Sequence, residues 1–251
     1  MVHEIDFNIL GDDMQVVEIE LDPQEAVRAE VGSMLYIEDG IEMQTGTGGG
    51  FMKGLKRMIT GDSFFISTFL NNGVGKRKVA FAAPYPGKII NINPANFGGS
   101  FLVQKDGFLC AAQGIEINVA FTKRMGAGIF GGEGFILQKL DGNGNTFIHA
   151  GGAIIKRELK QGETLRVDTG CLVGFDPQVD YDIQFVGGFK NALFGGEGLF
   201  LAVLRGPGLV YLQSLPFSRL ADRIIAAGRF GGGREESRGI GGLFGNIISG
   251  D

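Results

Sequence analysis

The chain has 251 residues, 44% apolar and 20% charged, with 44 glycines, 7 prolines and a net charge of −5. The glycines have no three-residue period and lie between strong apolar runs, which excludes a collagen-like or disordered chain and makes glycine the turn punctuation of a β protein. The acidic balance argues against a general nucleic-acid binder, which carries a basic face, and two cysteines are too few for a disulfide framework.

The opening MVHEIDFNIL has neither a basic n-region nor a long apolar run, and no segment offers about 18 apolar residues without charge. These features predict no secretory signal, no membrane span and a cytoplasmic setting. From residue 14 the chain reads as short alternating strands joined by glycine turns. VRAEVGSMLY at 27–36 places Gly32 between two strand-like runs. FMKGLKRMI at 51–59 mixes apolar and basic residues at helix-like intervals, as a packing segment, a subunit contact or a peripheral membrane anchor would. GDSFFISTFLNNG then gives Asp62, Phe69 seven residues later and Gly73 eleven later, followed by the strand-like VAFAAP.

The same plan returns twice. LVQKDGFLCA carries Gly107, and FGGEGFILQKLDGNG carries Glu133, Leu140 and Gly144 at the same spacings. LRVDTGCLVG carries Gly170, and FGGEGLFLAVLRGPG carries Glu197, Leu204 and Gly208. Alternating apolar residues on both sides of the last glycine read as a hairpin. The three copies cover 14–83, 87–150 and 152–216. Each has too few strands for a core of its own, so the expected fold is all-β, with three repeated antiparallel units covering one another around an approximate threefold axis. The single β domain spans 1–216. In the tail, 217–251, PFSRLADRIIAAG spaces Leu220, Ile224 and Ile225 as in a short amphipathic helix ended by Gly228, before a glycine-rich end.

Little chemistry is predicted from these residues. A P-loop needs a Lys-Ser/Thr pair and a following helix, and FGGEGF has neither; it also puts a carboxylate where the phosphate would sit. His3 is terminal and His149 lies in a strand-like run, so no nucleophile–base pair and no zinc spacing is visible. Cys110 and Cys171 sit in apolar stretches and read as a reduced, buried pair. No catalytic residue and no cofactor is assigned. Asp62, Glu133 and Glu197 hold one position in three copies; they either cap their own glycine turns or converge on a hard cation. The basic runs at 76–78, 123–124 and 156–157 read as solubilising tips, or as anionic contacts.

VGSMLYIEDGIEM, GGGFMKGLKRMITGDSFF, FGGEGFILQKLDGNG and FGGEGLFLAVLRGPGLVYLQSLP together resemble the altered-inheritance-of-mitochondria family (number twenty-four), formerly a domain of unknown function. The resemblance covers about 1–216. It implies a fold similar to the tryptophan RNA-binding attenuator protein, with the unit repeated in one chain. It carries over no catalytic residue, and implies a scaffold-like role. The resulting expectation is a non-enzymatic structural or interaction protein of uncharacterised process, a homo-oligomer with possible protein partners. A small-ligand or metal-binding module is the alternative, and an RNA binder is a third that rests on fold analogy alone.

Overall fold

The structure is a computed structural model that describes residues 2–44, 66–123, 135–186 and 199–231. Two compact units result, Met1–Pro216 and Phe217–Asp251. After a leading strand β1 (Asp6–Leu10), six strands follow: β2 (Val16–Leu21), β3 (Ala26–Glu30), β4 (Met34–Ile37), β5 (Ile41–Gln44), β6 (Ile66–Asn71) and β7 (Arg77–Ala82). The next six are β8 (Gly87–Ile92), β9 (Ser100–Gln104), β10 (Phe108–Ala112), β11 (Glu116–Lys123), β12 (Phe135–Asp141) and β13 (Thr146–Gly151). The last six are β14 (Ile154–Leu159), β15 (Thr164–Asp168), β16 (Leu172–Phe175), β17 (Asp180–Val186), β18 (Leu199–Arg205) and β19 (Gly208–Gln213).

Strand pairing is antiparallel throughout the named ladders, and one scheme recurs. In each run of six, the last strand lies between the first and the third: β2·β7·β4, β8·β13·β10 and β14·β19·β16. The fifth lies between the second and the fourth: β3·β6·β5, β9·β12·β11 and β15·β18·β17. Each run therefore contributes two three-stranded halves. Two further ladders join successive runs, β3 to β10 and β9 to β16. They fuse halves into two six-stranded sheets, β5-β6-β3-β10-β13-β8 and β11-β12-β9-β16-β19-β14. The outer halves stay separate, as β1-β2-β7-β4 and β15-β18-β17.

Three apolar cores fill the spaces between these sheets. Val17, Ile19, Phe81, Phe69 and Phe147 join the sheet of β4 to that of β10. Phe101, Val103, Phe108, Ile148 and Leu140 join the two six-stranded sheets. Phe135, Leu137, Phe175, Ile183 and Leu204 join the second six-stranded sheet to that of β15. Phe69, Leu140 and Leu204, the residues seven after the repeated acidic position, each lie fully buried in a different one of these cores. The repeated spacing in the sequence thus marks a core position. Removing any of the three large side chains would cost about 2–5 kcal/mol.

The repeated glycines align less well. The second and third strands of each run are joined by a 3-10 turn: Val31–Ser33, Lys105–Gly107 and Thr169–Cys171. Gly32 and Gly170 are the middle residues, whereas Gly107 is the last, and Asp106 holds the middle place. None of these glycines has the left-handed backbone that would require it. The following strand carries a bulge, between Met34 and Tyr36, Phe108 and Cys110, and Leu172 and Gly174. The bulge makes Tyr36, Cys110 and Gly174 equivalent, so matching the glycines places the second copy one residue out of register.

Two other expectations change in detail. The helix, α1 (Phe217–Gly231), continues past Gly228; a glycine inside a helix costs about 1 kcal/mol but does not end it. The basic run at 76–78 is no tip, because Arg77 opens β7 and its neighbours are engaged by carboxylates. Lys76 lies 2.8 Å from Glu20 and 3.1 Å from Asp6, and Lys78 lies 2.6 Å from Glu18.

Candidate interaction edge

Asp62, Glu133 and Glu197 all lie outside the described residues, as does the segment 51–59. Among the described residues no group of three or more His, Cys, Asp or Glu side chains could hold a metal ion. Cys110 and Cys171 form no disulfide; Cys110 is buried, which pushes its thiol pKa well up, and Cys171 is half-buried. A thiol in that state is a small apolar side chain and not a nucleophile. His3 is engaged, since its Nδ1 accepts a hydrogen bond from the Ala26 N–H at 2.9 Å. His149 is buried in β13 against Tyr85, with ring centroids 4.5 Å apart. Burial lowers its pKa to about 4, against a smaller opposing effect of the nearby Tyr85 backbone. Tyr85 is pushed up to about 12 by burial and by the negative charge of Asp106. Both groups stay neutral at pH 7 and serve packing.

The feature that stands out is β4. Its sequence, MLYI, is wholly apolar apart from one hydroxyl, yet all four residues are exposed. Its counterparts β10 (FLCAA) and β16 (LVGF) are buried at every position. Leu35 is 54% exposed, while Leu109 and Val173, at the same place relative to the bulge, are each 2% exposed. The difference is one of neighbours. β10 has β3 along its second edge and β16 has β9, whereas among the described residues β4 pairs only with β7. At the other end of the unit, among the described residues, β15 pairs only with β18, although β3 and β9 are interior strands.

The unpaired edge is held firmly in place. Tyr36 donates its hydroxyl proton to the Glu18 carboxylate, which also receives Lys78. The Lys78 hydrogen bond and then the Tyr36 hydroxyl draw the Glu18 pKa down. Glu38, just beyond β4, accepts the Lys78 N–H through its side chain at 2.8 Å and donates its own N–H to the Lys78 carbonyl at 3.0 Å. An exposed apolar strand with one edge outside any ladder of the described residues is a template for another strand. Composition gave no warning of it, because the difference lies in pairing between successive runs and not in the strand itself.

Fold and surface together define an antiparallel β protein of repeated units whose terminal units are incomplete. The family model for mitochondrial biogenesis AIM24 matches residues 7–215, and the chain belongs to that family. An uncharacterised protein of Streptococcus pyogenes serotype M6 is 30% identical over 214 residues, covering 82% of this chain and 84% of that protein. A crystal structure of a Streptococcus pyogenes protein superposes with a TM-score of 0.74 at 25% identity, covering 89% of this chain and 100% of that one. Neither description assigns an activity. No helix among the described residues is long and apolar enough to cross a membrane.

Proposed function

We propose that the protein is a non-enzymatic, self-associating scaffold and that its working surface is the open edge at β4. The observation that supports the reading is the contrast between β4 and its counterparts: the same strand is buried twice within the chain and exposed once. Met34, Leu35, Tyr36 and Ile37 together offer apolar area whose burial contributes roughly 1.5–3 kcal/mol per large side chain. Monomeric proteins blunt such edges with lysine or proline among other devices; the MLYI strand contains neither. An enzyme reading has less support, because the two perturbed neutral groups, His149 and Tyr85, are buried against each other.

Light scattering on the purified chain tests this reading. A mass of two or more chains, held across micromolar concentrations, is expected. A mass of 26.8 kDa at every working concentration contradicts self-association.

A further inference from the structure

Scaffold proteins can associate through many surfaces, but the strand order of this one specifies a single join. Write the two six-stranded sheets by the rank of each strand within its run of six. The first, β5-β6-β3-β10-β13-β8, reads fourth, fifth, second, then third, sixth, first of the next run. The second, β11-β12-β9-β16-β19-β14, reads the same. The separate sheet β15-β18-β17, read from its far edge, is fourth, fifth, second. The sheet β1-β2-β7-β4, read from β4, is third, sixth, first, with β1 added. The two outer sheets are therefore the two halves of a third sheet of identical order, divided between the ends of the chain. Among the described residues no core joins them within the chain, because each of the three cores joins adjacent sheets of the series.

We infer that β15 of one chain pairs antiparallel with β4 of a second copy, completing that sheet between molecules. This rests on the self-association proposed above and names its partner and register. The internal joins fix the register. Ala29 faces Cys110 and Arg28 faces Ala111 in one; Val103 faces Gly174 and Leu102 faces Phe175 in the other. Counting back two and three residues from each 3-10 turn makes Val167 the counterpart of Ala29 and Val103, and Arg166 that of Arg28 and Leu102. Val167 then lies across from Tyr36, and Arg166 across from Ile37.

Core packing supports the same join. At each internal joint the later run lends side chains to the core of the earlier one: Leu109, Cys110 and Phe147 enter the first core, and Val173 and Tyr211 enter the core between the six-stranded sheets. The core next to β15 receives no such contribution from a later run among the described residues. Leu35, the counterpart of Leu109 and Val173, is the side chain that the join would deliver there. The contact is heterologous, since β4 meets β15 and not another β4, so it propagates from chain to chain and closes into a ring or extends as a filament.

The test is a double variant, Ile37→Cys with Arg166→Cys, in the full chain. Both positions are exposed, and directly opposed residues on neighbouring antiparallel strands are close enough for a disulfide. Under mild oxidation the expected product is a ladder of covalently joined chains on a non-reducing gel, with mass spectrometry placing the link between positions 37 and 166 of different molecules. Should the double variant not fold, the two single variants produced together in one cell must give the same link. Three results overturn the inference: a link closed within one chain, a link joining position 37 to position 37, or no link. The second leaves self-association standing with a symmetric contact. A monomer by light scattering removes the inference and the scaffold reading together.

Discussion

At the scale of single residues, the described part of the protein uses its polar groups to fix geometry. Asn71, fully buried at the end of β6, donates to the Leu21 and Gly75 carbonyls at 2.8 Å each and accepts the Gly73 N–H at 2.9 Å, so one side chain ties the β6–β7 turn to the end of β2. His149 has a measurable cost. Its native pKa of about 4 lies below the usual value of 6.5. The unfolded chain therefore takes up a proton at that histidine before the folded chain does. Stability should fall as the pH drops from about 6.5 to about 4 and change no further below that, by up to about 3 kcal/mol. Carboxylates titrate in the same range, so the comparison is between variants. Melting temperatures of the native chain and of His149→Asn, taken from pH 7 to pH 4, should converge as the pH falls. Parallel curves would show that His149 does not stay neutral in the folded state.

At the scale of elements, β4 is the exposed twin of two buried strands. Leu35→Glu separates its two possible roles. In an isolated chain Leu35 is more than half exposed, so the substitution should leave the melting temperature of a dissociated chain almost unchanged. In an assembly it would place a carboxylate in an apolar core. Losing a buried leucine costs about 2 kcal/mol, and an unpaired buried charge adds more, so self-association should weaken at least about a hundredfold. Sedimentation velocity over a concentration series measures this. Unchanged association would show that β4 is not in the contact.

The elements also show how much was legible in the sequence. The fifth strand of each run was found through a spacing of seven between an acidic residue and a large apolar one, because Phe69, Leu140 and Leu204 must each fill a core. The turn before the third strand was found but misregistered, because its glycine is not demanded by the backbone and drifts from the middle of the turn to its end in Gly107. The helix was placed correctly at its start and ended too early at Gly228. The candidate edge was not visible in MLYI itself, which reads like any buried strand. Its exposure depends on pairing between runs, and the buried counterpart pairs across 81 positions (110 − 29), as Ala29 with Cys110 illustrates; local periodicity carries no information on such pairs. The acidic triplet Asp62, Glu133 and Glu197 lies outside the described residues.

At the scale of the whole molecule, the first unit is a series of four sheets enclosing three cores, complete in the middle and incomplete at both ends. The first and last sheets are halves that match each other in strand order. Under the proposed self-association, the β4 edge of one chain would meet the β15 edge of another and repeat the pairing scheme already used twice within the chain. The family membership is consistent with this architecture and adds no activity to it.

Hydrogen exchange of the native chain, resolved to segments 34–37 and 164–168 and read at low and high protein concentration, tests the central claim most directly. The account predicts that both segments exchange quickly in dilute solution and become protected together as the concentration rises, while buried β13 stays protected throughout. Protection of neither segment in a sample that has associated, or protection of both that does not change with concentration, would contradict it.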